Sequence, residues 1–85
     1  MNRRILGINV SNRVEVAEKV QKVLTTYGCS IRTRLGLHEE DEGQSGVGGL
    51  ILLELIGDEN EWLRLEKDLA AIKHVEIKKM DFSGN

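Results

Sequence analysis

The sequence predicts an α+β domain: a four-stranded antiparallel sheet with two helices on one face. Three observations carry that expectation. The hydrophobic spacing changes along the chain in the order strand, helix, strand, strand, helix, strand. The stretch Ile31–Leu37 alternates with a period of two, so that Ile31, Thr33, Leu35 and Leu37 point one way and Arg32, Arg34 and Gly36 the other. The stretch Leu50–Ile56 is apolar on both faces except at Glu54. Two split β-α-β units of this kind make a ferredoxin-like sandwich with one open sheet face.

Each element has its own justification. Arg4 to Val10 reads as a strand, with Leu6, Ile8 and Val10 on one face and Ile5, Gly7 and Asn9 on the other. Ser11 and Asn12 are both good helix N-caps, and Asn12 with Glu15 has capping-box spacing. The first helix then carries Val16, Ala17, Val20, Val23, Leu24 and Tyr27 along one stripe, and Gly28 stands where a left-handed C-terminal cap is wanted. The strand Cys29–Leu37, the polar loop His38–Val47 and the strand Gly48–Ile56 follow. Asp58 with Glu61 opens the second helix, whose apolar stripe is Trp62, Leu65, Leu69 and Ile72. Lys73 and His74 suit its C-terminal end, and His74–Met80 reads as the last strand.

Composition bounds the function. Residues 1–85 form one domain with an aliphatic core, because Trp62, Tyr27 and Phe82 are the only aromatic residues. A net charge of −2 gives no general attraction to nucleic acid or anionic membranes. The lone Cys29 forms no internal disulfide, reads as a buried small hydrophobe, and suits a cytoplasmic protein. No signal peptide or membrane-spanning run is visible. A metallochaperone would need a Cys-x-x-Cys turn and a ferredoxin four cluster thiolates, so both readings fail. An RNA-recognition domain stacks bases on aromatics of its central strands, which are aliphatic here. An acylphosphatase-like site would want an arginine cradle in the first loop; Arg13 is near, but the glycine-rich anion loop is missing. No activated nucleophile or phosphate loop is found, so no enzyme is expected.

A chain this short cannot cover both faces of a sheet with its own helices. Pairing Leu35 with Ile51 and Thr33 with Leu53 would set Arg32 opposite Glu54 on the open face, beside Ile5, Leu50, Leu52 and Ile56. Those four apolar residues are the expected oligomer interface of a homodimer or homotetramer.

The runs Gly7–Val10, Tyr27–His38, Gly49–Gly57 and Val75–Met80 resemble small bacterial proteins named as iron-only hydrogenase system regulators. That family is ACT-like and similar to the regulatory domain of the nickel-responsive repressor. The resemblance covers nearly the whole chain and implies an oligomeric regulator with a small-molecule effector at a subunit boundary. Two motifs depart from the related families. The Asp-x-Pro-Gly turn at which ACT domains often bind amino acids is replaced by Asn9-Val-Ser-Asn12, and the ribbon-helix-helix arm of the nickel-responsive repressor is missing. Direct DNA reading of that kind is therefore not expected.

The candidate ligand-binding residues are Asn9, Ser11 and Asn12 at the first turn, with free N–H groups of the first helix beside them, and Arg34 on the open face. Capping alone also explains Ser11 and Asn12, and Arg32 can simply pair with Glu54. His38 and His74 would lie at one end of the sheet on opposite edge strands, roughly 14 Å apart. They read as surface histidines, and neither a metal nor a cofactor is expected. The loop from His38 to Gly49 holds four carboxylates and four glycines without the spaced pattern of a calcium loop, so it reads as a solvated hairpin loop. The function expected is effector sensing by a small oligomeric regulatory module. The alternative is an assembly protein whose open sheet face binds a partner and which takes no small ligand.

Overall fold

The structure is a computed structural model that describes residues 2–11, 14–38 and 49–83. Its elements run β1 (Asn2–Val10), α1 (Val14–Thr26), a short 3-10 turn (Gly28–Ser30), β2 (Ile31–His38), β3 (Gly49–Leu55), α2 (Glu59–Ala70) and β4 (Val75–Ser83). The four strands form one antiparallel sheet in the order β2-β3-β1-β4, the ferredoxin-like arrangement. The expected capping box of Asn12 and the acidic loop after His38 lie outside the described residues.

Both helices cover the same sheet face because each presents one apolar stripe. Val16, Val20 and Leu24 of α1 and Trp62, Leu65 and Leu69 of α2 are buried against Leu6, Ile8, Val10, Leu53 and Leu55. Asp58 caps α2: its carboxylate accepts from the Asn60 N–H at 2.9 Å, as its position before the apolar stripe leads one to expect. The Glu61 carboxylate is turned to Arg64. The Trp62 indole Nε1 donates to the Ile56 carbonyl at 2.9 Å, which satisfies the polar atom of a ring only 2% exposed. Among the described residues, no helix is long and apolar enough to cross a membrane.

The chief departure from the sequence expectation is in β2. Ile31 stands opposite Leu55, yet Thr33 stands opposite Glu54, so Arg32 is an extra residue, a β-bulge. Because side chains alternate, one added residue inverts every face that follows it. Leu35 pairs with Leu52 instead of Ile51, and Thr33 with Glu54 instead of Leu53. Thr33 and Leu35 therefore lie on the open face, not in the core, while Arg34 moves to the helix side. The Thr33 hydroxyl donates to Glu54 Oε1 at 2.9 Å, the role expected of Arg32.

Smaller corrections are local. Gly28 takes no left-handed conformation but opens the 3-10 turn, where Ser30 N–H bonds the Tyr27 carbonyl. Cys29 is exposed in that turn, not buried. His74 precedes β4 in a left-handed turn at φ 70°, and β4 runs on through Phe82 to Ser83. Gly57, at φ 82°, makes the corner into α2 that a side chain would strain.

Candidate functional site

Two surfaces remain to be assigned: one end of the helix layer and the open face of the sheet. At the first, the pairing of β1 with β4 brings the β1–α1 turn beside the α2–β4 turn, with Val10 opposite Val75. The Ser11 N–H donates to the His74 carbonyl at 3.3 Å and ties the two turns. A cleft of about 580 Å³ opens there between α1 and the turn, lined by Glu15, Val16, Lys19, Ala71, Ile72, Lys73 and His74. Two ammonium groups and an imidazole face one carboxylate, so the lining favours a small anion. Ser11 Oγ is buried nearby and has no hydrogen-bond partner among the described residues.

The expected ligand residues do not gather at one place. Ser11 sits at this end of the sheet, and Asn12 lies outside the described residues. Asn9 is exposed on β1, between Leu50 and Glu76. Arg34 belongs to the row of Leu53 and Leu6, three residues along the strands and two strand spacings across from Asn9, roughly 14 Å away and on the other side of the sheet. Its guanidinium donates to the Gln21 amide oxygen on α1, so Arg34 is not placed to hold a ligand on the open face. Lys19, Lys73 and His74 were missed as a group, because only the long-range β1–β4 pairing brings their elements together. The side chain of His38 lies outside the described set. Among the described residues, no cluster of three His, Cys, Asp or Glu is placed to hold a metal.

The open face carries the expected interface residues Ile5, Leu50 and Leu52, while Ile56 follows the last residue of β3. Leu35, Met80 and Phe82 join that face, with Arg3 and Glu54 paired at 3.0 Å among them. At the far end from the cleft, Arg4 is surrounded on the helix side. It meets Glu66 at 2.6 Å and Asp81 at 2.5 Å, and its guanidinium lies 5.4 Å above the Trp62 ring. The bond to Asp81, with Glu66 adding to it, raises the Arg4 pKa further above its ordinary value, and Arg4 in turn lowers that of Asp81. Lys79 stands 3.7 Å from the other Glu66 oxygen. This cluster holds as many acids as bases and is a structural joint, closed to a ligand.

No protein-family model matches the sequence, and no curated protein matches it. Solved structures do match. An uncharacterized protein from Thermotoga maritima superposes with a TM-score of 0.82 at 24% sequence identity, over 98% of this chain and 100% of that one. The apo form of CPII, a nitrogen regulatory PII-like protein from Thiomonas intermedia, gives 0.55 at 12% identity over 96% and 92%. The same CPII bound to ADP, AMP and bicarbonate gives 0.51 at 18% identity over 100% and 97%. These likenesses establish the ferredoxin-like fold.

Proposed function

We propose that the chain is a small regulatory module, working as a homodimer or homotetramer, that binds a small anionic effector in the cleft between α1 and the α2–β4 turn. The observation that carries this reading is the charge of that cleft: Lys19, Lys73 and His74 against Glu15 alone. The Ser11 hydroxyl beside it, without a partner among the described residues, supplies a donor or acceptor for such a ligand. Support also comes from CPII, a regulatory protein of the same fold whose structure holds ADP, AMP and bicarbonate. The resemblance to hydrogenase system regulators supports a role in controlling that system, through a partner protein and without direct contact to DNA. The mechanism is linkage: an effector that prefers one assembly state shifts the population toward it.

The reading is non-catalytic. It follows the sequence, in which no motif sets a nucleophile beside a base. We place the protein in the cytoplasm, a compartment that suits the exposed free thiol of Cys29.

A thermal-shift series with phosphate, bicarbonate, carboxylates and nucleotides tests the effector. A ligand of the native state raises the melting temperature in proportion to RT ln(1 + [L]/Kd). We expect such a rise with at least one anion class, and its loss in Lys73→Glu. The second reading, an assembly protein with no small ligand, is favoured by the apolar open face. It expects no stabilisation by any of these compounds and no extra mass on the purified oligomer in native mass spectrometry.

A further inference from the structure

We propose that the cleft between α1 and the α2–β4 turn binds its anion together with a proton, and that the imidazole of His74 takes that proton up. This rests on the anion-binding reading above and adds to it the regulation of the site by pH.

The placement of His74 comes first. Its place in the sequence suits the charged end of a helix, but α2 ends at Ala70. The turn has already closed over that end, with the Ala71 N–H on the Lys67 carbonyl and the Ile72 N–H on the Leu69 carbonyl. The helix dipole acts within the last turn, so it does not account for an imidazole four residues beyond.

The backbone gives a second sign. Among the described residues, His74 is the one non-glycine at positive φ, at 70°, a region unfavourable for any residue with a Cβ. Such positions persist where the surroundings fix them, and they cluster at ligand clamps. Here the fixing is visible. The His74 carbonyl accepts from the Ser11 N–H at 3.3 Å, and the next residue, Val75, pairs with Val10. The corner thereby holds the imidazole at the wall of the cleft.

The surrounding charges decide what its proton does. Two elements line the cleft: α1 supplies Glu15 and Lys19, and the turn supplies Lys73, with aliphatic walls at Val16, Ala71 and Ile72. From β4, Glu76 lies on the open face with Lys78 at 3.9 Å. Two ammonium groups less one carboxylate leave one net positive charge beside a neutral imidazole, and two beside a protonated one. An anion among Lys19, Lys73 and His74 favours the protonated form, and by reciprocity the proton favours the anion. Histidine is the side chain that ordinarily changes charge near neutral pH, whereas lysine and glutamate ordinarily do not. Falling pH therefore loads the cleft and rising pH empties it.

The probe is sulfate, which stays a dianion from about pH 5.5 to about pH 8.5, across the range in which histidine titrates. Isothermal titration calorimetry of the full chain at low ionic strength, in buffers of different ionisation enthalpy, reads both the affinity and the protons taken up. From the acid to the alkaline limit the wild-type dissociation constant is expected to rise about tenfold, the effect of one charge a few ångströms from a dianion. Binding near neutral pH should take up protons. His74→Asn is expected to hold sulfate with the weaker, alkaline affinity at every pH and to take up none. Asparagine tolerates the left-handed region, so that variant should fold. His38→Gln should behave as the wild type. Sulfate affinity that is constant across the range, or coupling that survives His74→Asn or disappears in His38→Gln, overturns the proposal and leaves the anion cleft standing. Absence of sulfate binding at both limits overturns it as well, and the thermal-shift series above then decides the anion reading on its own.

Discussion

Arg4 joins one strand to two other elements. Its Nη1 reaches Glu66 of α2, and its Nε and Nη2 reach Asp81 of β4 at 2.5 Å and 3.1 Å. The side chains of Arg4 and Glu66 are 12% and 11% exposed, so the pair is largely out of water. Removing one partner of a buried pair leaves the other uncompensated, and Arg4→Met is expected to cost about 3 kcal/mol in urea unfolding. Lys79, 3.7 Å from Glu66, should soften that loss, and Arg4→Lys should restore little because it cannot bridge both acids. Asp81 gives the cluster a pH signature. Arg4 lowers its pKa in the fold, so the native state holds fewer protons there than the unfolded chain. The resulting stability is complete above the ordinary carboxylate value of about 3.9 and is lost as pH falls through the lower folded value. Asp81→Asn is therefore expected to narrow the stability difference between neutral and strongly acid solution, as read by unfolding midpoints across that range.

Elements differ in how openly their sequence declares them. The second helix was legible nearly whole, since Asp58, Trp62, Leu65 and Leu69 act within a few turns of one another. The strand β2 was legible as a strand but not in its facing. A bulge adds one residue of no special type, and Arg32 gives no sign of it in an otherwise perfect alternation. The cleft itself was not legible, because Lys19 and Lys73 come to line one space only through pairing between distant strands. The inverted facing is testable in dilute solution, where any assembly adds little. There Leu35→Thr is expected to change stability by less than about 0.5 kcal/mol, as for a surface site. Leu53→Ala, in the core at 1% exposure, is expected to cost about 2–5 kcal/mol. At the corner before α2, a Cβ on Gly57 meets nothing within 4 Å, so the cost of Gly57→Ala is purely conformational, about 1 kcal/mol.

For the whole molecule, the order of hydrophobic periods was sufficient to predict the fold, because each strand and helix has one dry side and few arrangements bury all of them together. The proposed homo-oligomer makes a prediction at this scale. A native state that associates gains stability with concentration, so the wild-type melting temperature is expected to rise with protein concentration in calorimetry, and that of Leu52→Glu, altered on the open face, to stay nearly flat. The two outer strands, β2 and β4, set the limit of such growth. An outer strand offers unsatisfied backbone groups to any passing chain, and addition there has no natural end. The extra residue at Arg32 bends β2 away from a flat template just past its start, while Glu76, Lys78, Lys79 and Asp81 populate β4 with charge. One insertion thus turns Leu35 onto the open face and, in the same stroke, spoils the border along which a fibre would lengthen.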